Sequence, residues 1–143
     1  MRTILIVSVA VLLVVIGAVA FILKQGGELV QQIEVQGNIT ENVVVFTDNG
    51  YSPNVLQVRV GDKVVFRNET SGSFWPASAM HPTHMVYSGT SLSEHCPDVA
   101  STAFDACEGL PEGSEWSFTF EKAGSWKYHD HLRPSMTGTI VVQ

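Results

Sequence analysis

Positive charge is scarce in this chain, and its scarcity excludes one class of partner. The 143 residues include 8 Lys and Arg against 14 Asp and Glu, which gives a formal net charge of −6. Proteins that bind nucleic acid concentrate basic residues on one surface to neutralise phosphates. No basic cluster occurs along this sequence, so we expect no nucleic-acid partner. Internal repeats are absent as well, and the length predicts one small domain plus a membrane segment.

Cysteine is also scarce, and the chain contains only two, Cys96 and Cys107. A short loop between two cysteines of an exported domain predicts a disulfide. Closing such a loop should stabilise the fold by about 3 kcal/mol in the chain-entropy model. The alternative is two thiolate metal ligands, which is less favoured because neither cysteine belongs to a Cys-x-x-Cys pair.

One long hydrophobic run lies near the N-terminus. Residues 3–23 carry no charge, and a helix needs about 20 apolar residues to cross a bilayer. We therefore predict a single-pass transmembrane helix over residues 1–24 that anchors the chain in the cell membrane. Residues 25–41 are polar and show no sustained period, which predicts a linker. Residues 42–143 form the predicted domain, which we place outside the cytoplasm because it is acidic and holds both cysteines.

A cleaved signal peptide is the alternative interpretation of the N-terminal run. Ala18-Val19-Ala20 has the small-x-small form of a signal-peptidase site. Cleavage would remove residues 1–20 and leave the domain secreted. The apolar run continues through residues 21–23, which favours the retained anchor. Both interpretations export the domain.

Short segments of β-branched or alternating residues, separated by turn signals, predict an all-β sandwich or barrel. The predicted strands are residues 42–46, 55–60, 63–67, 116–120, 125–131 and 138–142. The first three are expected to form a meander with one buried face. Residues 68–111 contain only short apolar pieces and no convincing helix. They predict a long loop region of the kind that often carries function.

The histidines supply the candidate chemistry, and all five lie between residues 81 and 131. His129 and His131 are two residues apart on a predicted strand, so they share a face while Asp130 points to the opposite one. Two neutral imidazoles on one face suit copper or zinc. The alternative is a pair of solvated surface histidines.

A second histidine pair, His81 and His84, favours the metal interpretation. Pro82 between them restricts the backbone and should hold both imidazoles in place. A β-sandwich can bring this pair alongside the first, which would supply the third ligand that a metal site needs. His95 is expected to be an exposed loop residue instead.

Three segments of the predicted domain resemble successive strands of a cupredoxin. They are Asp48-Asn49-Gly50-Tyr51-Ser52-Pro53, then Val58-x-Val60-Gly61-Asp62-x-Val64, and last Trp116-Ser117-Phe118-Thr119-Phe120 followed by Gly124-x-Trp126-x-Tyr128. The resemblance covers residues 42–143. It implies a Greek-key β-sandwich with a metal site at one end.

The ligands of a blue-copper cupredoxin are largely missing from this chain. In that family the last strands carry Cys-x-x-His-x-x-Met-x-Gly. Aligning Gly124 and Gly138 without a gap puts Asp130 at the cysteine position, Arg133 at the histidine position and Met136 at the methionine position. Without a thiolate the blue site cannot form, and rapid electron transfer loses its usual basis. We interpret Met136 as a core residue, with a weak axial ligand as the alternative.

Two short motifs resemble the cupredoxin domains of multicopper oxidases. They are His81-Pro82-Thr83-His84 and Tyr128-His129-Asp130-His131. The resemblance implies one group of three imidazoles, and places three other residues at the vacated blue site. The imidazole group is His84, His129 and His131, and the vacated site is marked by His81, Asp130 and Met136. Val86 stands where a further histidine is expected, so a full trinuclear cluster is not implied.

We therefore predict a copper site formed by His84, His129 and His131, with His81 as an additional ligand and zinc as the alternative metal. Asp130 is expected to orient an imidazole or to replace one as a ligand. No catalytic residue is assigned, because no separate acid–base constellation occurs. The expected function is binding, handling or transfer of copper, with a copper donor, copper acceptor or redox protein as partner.

Three alternatives to copper handling remain at this point. They are a small copper-dependent enzyme acting on superoxide or nitrogen oxides, an electron-transfer protein, and a metal-free structural domain. The clustered histidines argue against the last of these. Imidazoles that face away from the sandwich interior would also allow two copies of the chain to share an ion, so a homo-oligomer is an additional expectation.

Overall fold

Turn residues divide residues 41–143, the part of the chain that the computed structural model describes, into short strands. Eight strands and two short helices lie within these residues. In chain order they are β1 (Asn42–Thr47), β2 (Gly50–Ser52), β3 (Val55–Val58), β4 (Lys63–Asn68), β5 (Pro76–Ser78), α1 (Met85–Ser88), α2 (Leu92–His95), β6 (Glu115–Thr119), β7 (Gly124–Asp130) and β8 (Arg133–Val142). β-Branched and aromatic residues dominate the longer strands, as a pleated and half-buried surface favours.

The strands form two four-stranded sheets, in the orders β2-β1-β4-β6 and β3-β8-β7-β5. The predicted all-β sandwich is therefore confirmed. β1 pairs in parallel with β4, and β3 pairs in parallel with β8. The predicted meander is wrong, because β3 leaves the sheet that contains β1 and β4. Alternation of apolar and polar residues specifies the buried face of a strand, but it does not specify the partner strand.

A core rich in aromatic residues fills the space between the sheets. Phe66 on β4 is fully buried, with the ring centroids of Tyr128 and Phe104 at 5.3 Å and 5.5 Å. Full burial of a side chain of this size stabilises a fold by about 1.5–3 kcal/mol. Phe104 and Tyr87 belong to residues 68–111 and are members of this core. Their burial fixes that segment on the sandwich.

Regular structure interrupts residues 68–111, which the sequence predicts as one long loop. β5 forms an edge of the second sheet, and α1 and α2 each contribute about one turn of helix. The expectation of no helix is wrong for these two elements, because four residues are too few to show a helical period. Ser91 donates its backbone N–H to Glu94 in a capping box at the start of α2.

The hairpin of β7 and β8 depends on a close approach at one glycine. β8 starts at Arg133 rather than at the predicted residue 138, and Tyr128 on β7 lies directly opposite Gly138 on β8. A Cβ atom at Gly138 would overlap the Tyr128 hydroxyl oxygen and the ring carbon that carries it. Glycine is required at this position so that the Tyr128 ring can lie over the neighbouring strand.

The predicted anchor over residues 1–24, and the predicted linker up to residue 40, lie outside the described residues. Within residues 41–143, no helix has the length and apolar character needed to span a bilayer. The proposed division of the chain at residues 24 and 41 stays a prediction.

Candidate metal centre

The alternation of β7 decides which of its side chains reach the candidate site. Trp126 and Tyr128 pack with the core, so His129 and, just beyond the strand, His131 project from the outer face of the second sheet. Asp130 points inward and is fully buried. The prediction that the two histidines share a face and that Asp130 does not is confirmed.

His84 covers this outer face from the segment that follows β5. Its backbone N–H donates to Met80 O at 2.8 Å, and its carbonyl accepts the Ser78 hydroxyl at 2.8 Å. The His84 imidazole is completely buried. One ring nitrogen from each of His84, His129 and His131 lies within 4.8 Å of the others, and His131 Nδ1 is 2.9 Å from His84 Nε2. The structure thus brings together the three imidazoles that the sequence predicts as ligands.

His81 lies beside this group on its solvent-exposed side. Its ring centroid is 4.9 Å from that of His131 and 5.4 Å from that of His129. Of the two roles expected for His81, additional ligand or marker of a vacated site, these distances favour the first. Its ring lies beside the other imidazoles, although it is not one of the three whose nitrogens converge within 4.8 Å.

Asp105 orients His84 and is the site residue that sequence reasoning missed. Its Oδ2 atom hydrogen-bonds to His84 Nδ1 and, at 3.0 Å, to His95 Nε2. Its Oδ1 atom accepts the Trp75 indole N–H at 2.6 Å and the Cys107 backbone N–H at 2.8 Å. A carboxylate on Nδ1 keeps the proton there and leaves the Nε2 lone pair for a metal.

The hydrogen bonds around Asp105 also keep it ionised. Burial by itself would raise the pKa of this carboxyl, but hydrogen bonds from His84, Trp75, His95 and the Cys107 N–H outweigh burial and lower the pKa to about 2. A negative charge therefore stands directly behind His84. It favours a cation on the opposite side of that imidazole.

Strand pairing explains why Asp105 points at the histidines. Ala77 on β5 pairs with His129 on one side and forms a bridge with Asp105 on the other. Residues opposite one another in adjacent strands share a face, so Asp105 and His129 lie on the same face of the sheet. The sequence shows no sign of this bridge, because Asp105 lies outside any alternating run.

His95 lies behind the site, at the end of α2, and it is only 9% exposed. The expectation of an exposed loop residue is wrong, because the Asp105 carboxylate offers its imidazole a buried hydrogen-bond partner. Buried charged groups such as the Asp105 carboxylate are hydrogen-bonded in folded proteins, and His95 is one of its donors.

The His129 imidazole has the electrostatic properties of a metal ligand. Its Nε2 atom is buried and has no hydrogen-bond partner among residues 41–143. Burial, and then the neighbouring His84, His81 and His131, lower the pKa of His129 to about 4. Burial also lowers the pKa of His131. A buried polar atom without a partner costs about 1–3 kcal/mol, and an ion at this position would satisfy it. The residues therefore fit a metal.

Comparisons with known proteins relate the fold to solved structures. No protein-family model matches the chain, and no curated protein matches it. A purple cupredoxin from Nitrosopumilus maritimus is 20% identical, with 72% of this chain and 100% of that chain covered at a TM-score of 0.52. A mutant of amicyanin solved with Cu(I) is 21% identical, with 72% and 82% covered at a TM-score of 0.55. The domain has a cupredoxin-like fold. Identities this low show the fold alone, and they leave the resemblance to multicopper oxidases unconfirmed.

Asp130 and Arg133, which the sequence alignment puts at the cysteine and histidine positions of a blue-copper site, form an ion pair. Arg133 Nε lies 2.7 Å from one carboxylate oxygen of Asp130, and the other oxygen accepts the Trp75 backbone N–H at 2.7 Å. Asp130 is thus engaged away from the imidazoles, and the orienting role expected of it belongs to Asp105. Met136 packs against the core, which agrees with its interpretation as a core residue.

The predicted disulfide between Cys96 and Cys107 is confirmed, with an S–S distance of 2.02 Å. This disulfide includes both cysteines of the chain. The three-histidine group of this cupredoxin-like domain therefore has nitrogen donors around it and no thiolate.

An open cleft adjoins the histidine group. It encloses about 370 Å³ and includes His81, His129, Lys127 and Asn54 in its walls. Lys127 lies two residues before His129 on β7, so both side chains start from the same face of the sheet. The cleft is large enough for a small molecule, and it carries one positive charge.

Proposed function

We propose that the domain binds one copper ion through His84, His129 and His131, with His81 as a fourth ligand on the solvent side. The single observation that carries this proposal is the buried Nε2 atom of His129, which has no partner within residues 41–143 and lies in a group of converging imidazoles. An all-nitrogen donor set favours Cu(II), which also leads the affinity order of the divalent metals. The site is therefore proposed to be a non-blue copper site.

The role proposed for this site is copper binding, handling or transfer. His129 and His131 are unprotonated near neutral pH, because their pKa values are lowered, so little proton release opposes metal uptake. His84 is held by the Asp105 hydrogen bond, and exposed His81 gives the ion a route from solvent. A bound copper ion would supply Cu(II)/Cu(I) redox capacity. An exchangeable site of this kind suits a protein that receives copper from one partner and gives it to another.

Membrane attachment is part of the proposal. The support is the charge-free run of residues 3–23 and the disulfide, which is typical of oxidising compartments. In this proposal residues 1–24 anchor the chain and residues 25–41 link the anchor to an extracytoplasmic domain. The partner is a copper donor, a copper acceptor or a redox protein in the same compartment.

Copper titration of the full chain in detergent tests the proposed site. We expect one Cu(II) per chain, nitrogen hyperfine structure in the electron paramagnetic resonance spectrum, and no intense thiolate-to-copper band in visible light. His129→Ala should weaken binding by at least about tenfold, whereas Met136→Leu should leave it unchanged because Met136 packs in the core. Equal binding by wild type and His129→Ala would show that the copper is held elsewhere.

A small copper-dependent redox enzyme is the second candidate function. The observation in its favour is the cleft beside His129, where Lys127 would attract a small anion such as superoxide or nitrite. Turnover of either anion by the copper-loaded chain, lost in His129→Ala and reduced in Lys127→Gln, would establish the enzyme. Stoichiometric copper binding without turnover would leave copper handling as the function.

A further inference from the structure

A second group of metal-ligand atoms includes Asp105 and none of the three histidines of the first group. His95, Cys96, Asp105 and Cys107 each place one ligand atom within 4.8 Å of the other three. In the structure the two sulfur atoms are bonded to each other. Both cysteines are only partly buried, so a reductant can reach them. The group shares only Asp105 with the surroundings of the histidine site.

We propose that reduction of the Cys96–Cys107 disulfide opens a second metal site, formed by the two thiolates and the His95 imidazole, with the Asp105 carboxylate as the fourth donor. Two thiolates and one imidazole select thiophilic d10 ions such as Cu(I) and Zn(II). The same sulfurs have no such affinity while they form a disulfide. Whether the second site binds a metal therefore depends on the redox state of Cys96 and Cys107.

The reduction is a thiol–disulfide exchange with a dithiol reductant. One reductant thiolate attacks a sulfur of the disulfide, which forms a mixed disulfide and releases the other cysteine. The second reductant thiol then displaces the remaining cysteine and closes the disulfide of the reductant. Two electrons pass to the cysteine pair, which gains two protons as thiols. Metal binding releases those protons to solvent.

Hydrogen bonds that do not involve the disulfide fix the backbone beside each cysteine, and the hydrogen bond between His95 Nε2 and Asp105 Oδ2 joins the two segments at 3.0 Å. The Cys96 N–H donates to Leu92 O at 3.0 Å at the end of α2, and the Cys107 N–H donates to Asp105 Oδ1 at 2.8 Å. Phe104 is almost completely buried in the core, which anchors the chain next to Asp105. The backbone positions that bring the sulfurs together therefore do not depend on the covalent bond alone.

An open cavity gives this second group contact with solvent. It encloses about 300 Å³, and its walls include Cys107 together with the acidic residues Asp98, Asp105 and Glu108. No lysine, arginine or histidine is among the residues that line it. Its charge favours entry of a cation and disfavours an anionic ligand.

Metal titration of oxidised and reduced protein tests the proposal. The full chain is reduced with a dithiol, the dithiol is removed anaerobically, and Zn(II) or Cu(I) is added in competition with a chromogenic chelator. We expect the reduced chain to bind one more ion than the oxidised chain, with a thiolate-to-metal band in the ultraviolet. His95→Gln should weaken this binding by about tenfold or more. Equal stoichiometry in the two redox states would overturn the proposal.

Two further samples separate this site from the histidine site. In His129→Ala/His131→Ala the additional ion should still bind after reduction, whatever copper the three-histidine group takes. Reduced wild-type chain with both thiols alkylated should lose the additional ion and its ultraviolet band, and this sample requires no cysteine variant to fold. An additional ion that survives alkylation would contradict thiolate ligation.

Discussion

Asp105 is the residue on which the geometry of the candidate copper site depends. Its carboxylate accepts hydrogen bonds from two imidazoles, one indole and one backbone N–H. An aspartate in this position fixes which nitrogen of His84 carries the proton. Removing the negative charge of Asp105 should therefore alter the copper site, although Asp105 itself is not a proposed copper ligand.

Asp105→Asn should lower the Cu(II) affinity by about 10–100-fold, the usual effect of losing a group that orients a ligand. The amide retains the size of the side chain, but it no longer supplies the negative charge that stabilises the Nδ1 proton of His84. Competition titration measures the loss. Asp48→Asn makes the same charge change at an exposed residue, and it should leave the affinity unchanged. Similar affinities for the two variants would mean that Asp105 does not orient His84.

His129 should make the metal-free domain less stable in mild acid. Its folded pKa is about 4 against an ordinary value of 6.5, so between these values the unfolded chain binds the proton more readily. Stability therefore falls as pH decreases through this window, by at most about 3 kcal/mol. Asp105, with a folded pKa of about 2, contributes stability above its unfolded pKa, and this contribution is lost at still lower pH.

Urea denaturation of the metal-free protein at about pH 7 and about pH 4.5 measures this dependence. His129→Gln should show a smaller difference between the two pH values than wild type, because the titrating imidazole is gone. His131, whose pKa is also lowered, should keep part of the dependence. An unchanged difference in His129→Gln would assign the pH response to other groups.

At the scale of elements, the hairpin of β7 and β8 positions His129 on β7 and His131 in the turn that follows it. Gly138→Ala should destabilise the domain by about 1–3 kcal/mol, because the new methyl group overlaps the Tyr128 hydroxyl and forces the strands apart. The free energy of unfolding measures this cost. Gly72→Ala is the matched control, since a Cβ there has no atom within 4 Å. Equal stabilities for the two variants would contradict a tight approach at Gly138.

Six of the eight strands within residues 41–143, and the grouping of three histidines, could be predicted from the sequence, whereas β2 and β5 could not. Runs such as residues 116–120 alternate with the period of a strand, and His129 and His131 inherit their common face from the same period. A periodic pattern needs several residues to become visible. It could not reveal β5, whose three residues are all buried.

The positions of Asp105 and His95 at the site could not be predicted, because they depend on pairing between segments that are distant in the sequence. Asp105 reaches the site through one bridge to Ala77, and His95 is buried because Asp105 is there. The parallel pairing of β1 with β4 was unpredictable for the same reason. Composition along a segment carries information about its own burial, and much less about its neighbours in space.

At the scale of the whole molecule, the Asp130–Arg133 pair ties together the end of the sandwich. Asp130 lies on β7 and accepts the Trp75 N–H, while Arg133 on β8 donates to Ser73 O at 2.6 Å. Arg133 also lies over the Phe46 ring of the other sheet, 4.6 Å from its centroid. The contacts join both sheets and the segment that leads into β5.

Asp130→Ala should destabilise the domain by about 1–3 kcal/mol, because it leaves the Trp75 backbone N–H without its acceptor while the partly exposed Arg133 remains solvated. Chemical denaturation measures the loss. Folded Asp130→Ala protein should still bind Cu(II), because the two Asp130 oxygens contact Arg133 and the Trp75 N–H rather than the imidazoles. Loss of copper from folded Asp130→Ala would place this carboxylate in the metal site after all. The expectation of a homo-oligomer stays a prediction at this scale.

The hydrogen bonds on both sides of β5 have a consequence for how quickly an ion can leave. His84 follows this three-residue strand, which pairs with β7 on one side. On its other side Ser78 N–H donates to Phe104 O, and Ala106 N–H donates to Pro76 O. Release of His84 therefore requires a local opening that breaks both sets of hydrogen bonds, and the rate of that opening would set the lifetime of bound copper.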